Sequence, residues 1–431
     1  MMLSRGRETT IVTTLRGSAH QRDGRLGHEV KNIVSGALLA RLFNWSYIPP
    51  SPHGPRGFRE VDEIIELARL VDDWPTLRML DGTRAAWRKP GACPDGWSVA
   101  VLNETGFAGI DSLTALKEHL ATRVPNDAAR LCIITTQGFR LHLHHVHAWE
   151  AVGAAPHGTY AAVTRALRRA VRREGGGHGV ASPDAPLDTS RRGSIGIHVR
   201  RGDRVGRGAT ARYPVELVRA FVGVAAQALI GTGNFKRGVD VTVYTEPSNS
   251  SELFERGCPE WMRAAPSGGA RALASARRGG AAARAATCTV TTGSILHDLH
   301  GLAGSDVLGL SSSSFSVLAY YLRGRGRPAL VPVRTIAQFF GAHDGADIGR
   351  NASRHAVARA RGRPPPPENL LFLNAMLLDW AAAGEGTAAG AATSTREGGG
   401  EADDREAMLM FARLKDVTRR LRAVMSMKDV E

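Results

Sequence analysis

Apolar and polar positions divide the chain into two arrays of strand-like and helix-like segments. "TTIVTTLR" (9–16) has strand character and is followed by the polar, Gly-rich run "GSAHQRDGRLG". Val30, Ile33, Val34, Ala37, Leu38 and Leu42 then recur at helical spacing within "HEVKNIVSGALLARLF" (28–43), and "SYI" resumes strand character. Further strands are expected at 98–103 and 131–136, with helices near 60–70, 111–122 and 159–173. The pattern breaks in "RREGGGHGVASPDAPLDTSRRG" (172–193), which has no hydrophobic period and reads as a linker.

After the break the alternation restarts. It predicts strands at 194–200, 239–245, 288–292, 306–311 and 328–333, interleaved with helices at 214–230, 249–255, 294–303 and 314–322. Strands alternating with helices imply parallel sheets, so the expected class is α/β with two Rossmann-like domains, over 1–180 and 194–380. A length of 431 residues fits two such domains. "APSGGARALASARRGGAAARAAT" (265–287) and residues 381–404 are low-complexity. Residues 405–431 follow as a terminal segment in which "REAMLMFARLKDVTRRLRAV" (405–424) has amphipathic spacing and can pack back as a helix; none of these three segments is expected to carry function.

Charge adds little by itself. Lys and Arg number 56 against 41 Asp and Glu, a net +15 that attracts anions in general. No zinc-finger spacing, RNP-like aromatic strand or basic heptad occurs and aromatics are 6%, so nucleic acid is not an expected partner. Cys93, Cys132, Cys258 and Cys288 are scattered without a C-x-x-C pair; one or two disulfides are compatible with the spacing, but it does not assign them. The amino-terminal "MMLSRGRETTIVTTLRG" has no apolar h-region and no stretch approaches a spanning helix, so the chain as given is expected to be soluble, or to have lost an anchor.

Candidate chemistry concentrates at two strand ends. "SIGIHVRRGDRV" (194–205) is an apolar strand ending in His198, Arg200, Arg201, Gly202 and Asp203, and alternation puts His198 and Arg200 on one face. An Arg fork binds phosphate oxygens bidentately and is always charged. "SDVLGLSSSSFSVLAYYL" is a strand ending in serines at a helix start, where Ser313 and Ser314 suit an N-cap and free N–H groups favour an anion. Together the two ends suggest a phosphate cradle. His142, His144, His145 and His147 gather in "RLHLHHVHAWE", where alternation puts His142 and His144 on one face of a strand; no acidic or Cys partner stands at metal-site spacing, and no metal is expected.

These residues resemble a family. "HVRRGDRV" is similar to the H-x-R-R-x-D motif of the fucosyltransferase superfamily, which includes α1,2-, α1,6-, nodulation and protein O-fucosyltransferases. "VTVYTEPS", "GLAGSDVLGLSSSSFSVLAYYL" and "GRLGHEVKNIVSGALLARLFNWSYIPP" resemble its other motifs, in family order over residues 24–323. The resemblance implies a GT-B-like architecture, two Rossmann-like domains facing a cleft, the first on the acceptor side and the second binding GDP. It also implies a metal-independent, inverting transfer from GDP-fucose to a glycan or glycoprotein acceptor, with no cofactor beyond the donor. Arg200 would bind the β-phosphate, helped by Ser313, Ser314 and the Phe315 backbone. His198 and Asp306 would approach guanine, and Glu246 the ribose or base. Arg201 and Asp203 would support the phosphate end by contact or salt bridge. His28 and Glu29 are the candidates for a general base on the acceptor hydroxyl. His28 stands where several relatives have Asn, and the single acid Glu246 replaces an acidic pair. Alternatives are another nucleotide-sugar donor, a catalytically silent glycan or nucleotide binder, and a polyanion binder. The family places members in the secretory pathway or as soluble bacterial enzymes.

Overall fold

The computed structural model describes residues 9–14, 26–48, 93–102, 113–124, 128–136, 141, 143–151, 153–174, 190–200, 215–246, 253, 256–259, 262, 286–293, 295–311, 313–323, 327–332, 369–373 and 400–426. The chain divides into two compact units, one within Met1–His178 and the other within Gly179–Gly349 and Glu368–Glu431. The expected helices at 60–70 and 249–255 lie wholly or largely outside the described residues.

The first unit holds a four-stranded parallel sheet of order β2-β1-β4-β3, formed by Thr9–Thr14 (β1), Ser46–Ile48 (β2), Ser98–Leu102 (β3) and Arg130–Thr135 (β4). Helix α1 (Leu26–Leu42) buries Val30, Ile33, Val34, Ala37 and Leu38. It stops at Asn44, whose φ of 56° is left-handed. Trp45 N–H then reaches Ala40 O at 2.8 Å and Asn44 N–H reaches Arg41 O at 3.2 Å, which satisfies carbonyls the helix end leaves open. Leu113–Arg123 (α2) buries Leu113, Leu116 and Leu120. Leu143–Ala151 (α3) and Thr159–Glu174 (α4) are the other helices among its described residues. The histidine-rich stretch is thus a helix and not the strand its alternation suggested. Leu143, Val146 and Trp149 are the buried positions, spaced by three, and this burial outweighs the two-residue alternation of His142 and His144.

The second unit is a six-stranded, all-parallel sheet of order β10-β9-β8-β5-β6-β7. Its strands are Gly193–Val199 (β5), Val239–Thr245 (β6), Ala286–Thr291 (β7), Val307–Gly309 (β8), Ala329–Pro332 (β9) and Leu370–Leu373 (β10). Read from β7 to β10 this is the doubly wound order 3-2-1-4-5-6, with its topological switch between β5 and β8. Ile195, Ile197 and Val199 on β5 and Val239, Val241 and Val243 on β6 pack with Val218, Phe221, Val222, Ala225 and Leu229 of α5 (Val215–Gly231) in one core. Ile295–Gly304 (α6) and Ser314–Tyr321 (α7) follow β7 and β8. The amphipathic terminal segment is α8 (Gly400–Ser426), and Val417, Leu421 and Val424 belong to the same core.

All four cysteines are paired, as Cys93–Cys132 and Cys258–Cys288, each with Cα atoms 5.9 Å apart. The second bridge ties residue 258 to β7, the edge strand, across 30 residues of sequence. Loop closure of that length is worth about 4 kcal/mol in the chain-entropy treatment. Cys258→Ser is expected to lower Tm by on the order of 10 °C in a calorimetric scan. Among the described residues no helix is long and apolar enough to cross a membrane.

Candidate functional site

In a doubly wound sheet, ligands bind outside the carboxyl ends of the strands at the switch point. Here the switch joins β5 and β8, paired through Ile195 with Val307, Gly196 with Leu308 and Ile197 with Gly309. At the carboxyl ends of these strands stand His198, the penultimate residue of β5, and Arg200 on one side and Ser311, Ser313 and Ser314 on the other, all at least nine-tenths buried. Residues 195, 197 and 199 face the α5 core, so the alternation sends His198 to the opposite face, where Gly196 packs against Leu302 and Ser305 at the end of α6.

A hydrogen-bonded chain links the two strand ends. His198 Nδ1 lies 2.8 Å from Ser311 Oγ, which is 3.4 Å from Ser316 Oγ. Ser316 Oγ donates to Ser313 O at 2.8 Å and accepts from Ser311 N–H at 3.2 Å. Ser313 is the N-cap of α7: its backbone is extended, and its hydroxyl accepts from Phe315 N–H at 3.3 Å. The Phe315 ring is tilted by 53° to the His198 ring, with centroids 5.1 Å apart.

Burial lowers the His198 pKa to about 4; the Glu246 carboxylate works against this and the Arg200 guanidinium adds to it. The ring is therefore neutral at neutral pH. Such a depressed histidine stabilises the fold above its ordinary value of 6.5, and this contribution is lost as the pH falls toward 4. The loss amounts to about 3 kcal/mol. Urea unfolding at pH 7 and pH 4.5 is expected to differ less in His198→Gln than in the unmodified chain.

Two acids lie on the other side of β5. Glu246 directly follows β6 and is half-buried. Asp298 sits in the first turn of α6, where its Oδ1 accepts from Gly293 N–H at 3.0 Å and lies 3.4 Å from His297 Nδ1. Burial raises the Asp298 pKa; its hydrogen bonds to His297 and Gly293 and the His297 charge lower it, and the charge on Glu246 raises it further. Tyr244 is pushed up to about 12 by burial and by the Asp298 charge. Its hydroxyl lies so close to Gly301 on α6 that a side chain there would collide with it. Glu246 thus acts electrostatically on both His198 and Asp298. Asp298 was missed in the sequence, although an acid in the first turn of a helix entered from the carboxyl edge of the sheet was a usable signal.

Asp306 is not at this edge. It precedes β8, is fully buried, and its Oδ1 accepts from Arg191 Nη2 at 2.6 Å. Its Oδ2 accepts from Ser194 N–H at 2.8 Å and Ser194 Oγ at 2.9 Å. Ser194 lies four residues before His198 on β5, about 13 Å at the rise of a parallel strand. The expected contact of Asp306 with guanine is therefore corrected: it locks the amino edge of the sheet. Arg323 reinforces that edge by donating to Leu302 O, Ser305 Oγ, Asp306 O and Pro328 O. Burial, with the Arg327 charge, lowers its pKa to about 9, while Asp306 and Tyr320 oppose the shift. Asp306→Asn is expected to cost about 3 kcal/mol in urea unfolding and to leave nucleotide affinity unchanged.

Arg201 and Asp203 lie outside the described residues. His28 and Glu29 fall on the first turn of α1, in the other unit, and their side chains also lie outside the described residues. His147 packs edge-on against Tyr160 at 4.7 Å, and His145 lies tilted beside Trp149 at 6.2 Å. Among the described residues no group of three or more His, Cys, Asp or Glu side chains could hold a metal ion.

No family model matches the chain, and no curated protein matches it. Among solved structures it is similar to a glycosyl transferase family 9 protein from Veillonella parvula DSM 2008, at 10% identity and a TM-score of 0.32, over 75% of this chain and 81% of that one.

Proposed function

We propose that the chain is a GT-B glycosyltransferase that transfers fucose from GDP-fucose to a hydroxyl of a glycan or protein acceptor, with inversion and without a metal. The observation that carries this reading is the convergence at the β5/β8 switch of a buried Arg200, a neutral His198 and a serine-capped helix start. Arg200 takes the β-phosphate, where negative charge grows as GDP departs, and a fixed guanidinium stabilises it there. Ser313, whose hydroxyl caps the Phe315 N–H and keeps its own hydrogen to donate, and Ser314 support the same charge at the start of α7. The resemblance assigns Arg201 and Asp203 to the same charge.

Guanine's Watson–Crick edge presents one acceptor beside two donors. The carboxylates Asp298 and Glu246 suit the donors and the neutral His198 suits the acceptor. An acceptor hydroxyl needs its proton removed as it attacks, and the resemblance offers His28 and Glu29 as the candidates for that base. The two disulfides support folding in an oxidising compartment, such as the secretory pathway.

Incubation with labelled GDP-fucose, GDP-mannose and UDP-sugars tests the reading. The expected result is transfer to an acceptor or slow donor hydrolysis with GDP-fucose alone. Turnover of a UDP-sugar in its place would refute the donor assignment.

A further inference from the structure

We propose that Ser311 is a positioning residue that fixes the hydrogen of His198 on Nε2, so that the ring offers a donor to the guanine carbonyl of a bound nucleotide. The ligand in this statement rests on the reading above; the tautomer rests on the hydrogen-bond chain alone. Ser316 spends its hydroxyl hydrogen on Ser313 O at 2.8 Å and receives Ser311 N–H at 3.2 Å. The hydroxyl hydrogen of Ser311 then has two acceptors within reach, His198 Nδ1 at 2.8 Å and Ser316 Oγ at 3.4 Å.

Hydroxyl hydrogen bonds cluster near 2.7–2.8 Å, and 3.4 Å is outside their normal range. Were Nδ1 the donor, the Ser311 hydrogen would be left with that long contact, at a residue only 1% exposed. A buried hydroxyl without a good acceptor is costly. The hydrogen therefore goes to Nδ1, and a neutral imidazole that accepts at one nitrogen carries its own hydrogen on the other. Phe315, packed against the ring, and the capped start of α7 hold the arrangement in register.

A donor at this place suits guanine, whose O6 and N7 are acceptors, and opposes adenine, which presents an amino group at the equivalent edge position. Ser311 thus acts on base choice through His198 without touching the nucleotide itself. This separates it from Ser313 and Ser314, which are assigned to phosphate.

The experiment is a two-bond proton–nitrogen spectrum of the full chain labelled with ¹⁵N-histidine, His198 being identified by its loss in His198→Gln. The expected spectrum has the hydrogen on Nε2 and a bare Nδ1; in Ser311→Ala the ring moves to Nδ1–H or to a mixture. GDP affinity is expected to fall about tenfold in Ser311→Ala, to return in Ser311→Thr, and to show no further loss when Ser311→Ala is added to His198→Gln. A hydrogen on Nδ1 in the unmodified chain, an unchanged tautomer in Ser311→Ala, or additive losses in the double variant would overturn the proposal. If Ser311→Ala fails to fold, the spectrum of the unmodified chain decides alone. Failure of the unmodified chain to bind GDP refutes the nucleotide reading, while the ring spectrum still judges the tautomer.

Discussion

Arg200→Ala is expected to reduce GDP-fucose turnover by about 10²–10³-fold or more. The side chain is only 7% exposed and follows the last residue of the central strand β5, beside the switch point. A guanidinium held there is oriented before a ligand arrives, so under the proposed function its effect would fall on the charge that forms as GDP leaves. Arg200→Lys keeps the charge but loses the fork, and is expected to recover only part of the rate. An internal check is available, because the Arg200 charge helps to lower the His198 pKa. Removing it must move the His198 titration upward, which NMR reads independently of activity. Wild-type turnover by Arg200→Ala would refute the phosphate role.

Deleting α8 is expected to unfold the second unit, because the amphipathic face that suggested a helix packing back lies in the core. Val417, Leu421 and Val424 are buried with the central strands and α5. Arg422 donates to Thr232 O at 3.0 Å and Gly231 O at 2.8 Å, holding the carboxyl end of α5. Thr418 packs against Gly231. Each large buried side chain lost costs about 2–5 kcal/mol, and three of them approach the whole stability of a domain. The single change Leu421→Ala is the gentler form, expected to cost about 3 kcal/mol in urea unfolding. A truncated chain with an unchanged unfolding transition would show that the helix contributes nothing.

The central strands were legible because apolar residues recur at every second position, Ile195, Ile197 and Val199 on one strand and Val239, Val241 and Val243 on the next, and these faces pack into the α5 core. Strand order was not legible, since it depends on which helices cross which face. Strand β10 was missed: four residues, "LLFL", carry too short a pattern to separate from other apolar runs. The two acids show the deeper limit. Asp306 opens the strand expected at 306–311, which already puts it at the amino edge of a parallel sheet, away from a ligand at the carboxyl ends; its bonds to Arg191 and Ser194 appear only in three dimensions. Asp298, eight residues earlier, lies on a helix that begins at the carboxyl edge, so its electrostatic tie to Glu246 appears only in three dimensions. Arg200, His198, Ser313 and Ser314 were read from sequence because both strand ends announce themselves by an abrupt change from apolar to polar. The His198 to Ser311 bond was not, because it depends on two strands being neighbours.

Thermal unfolding with GDP, UDP and ADP, each in the presence of a chelator, bears most directly on a guanine-diphosphate site at the β5/β8 switch. A ligand bound only by the native state at a hundredfold excess over its Kd stabilises by about 2.7 kcal/mol. GDP is expected to raise Tm by several degrees in the unmodified chain and much less in Arg200→Ala, with UDP and ADP without effect. Equal shifts from all three nucleotides, or a GDP shift that survives Arg200→Ala intact, would contradict the assignment.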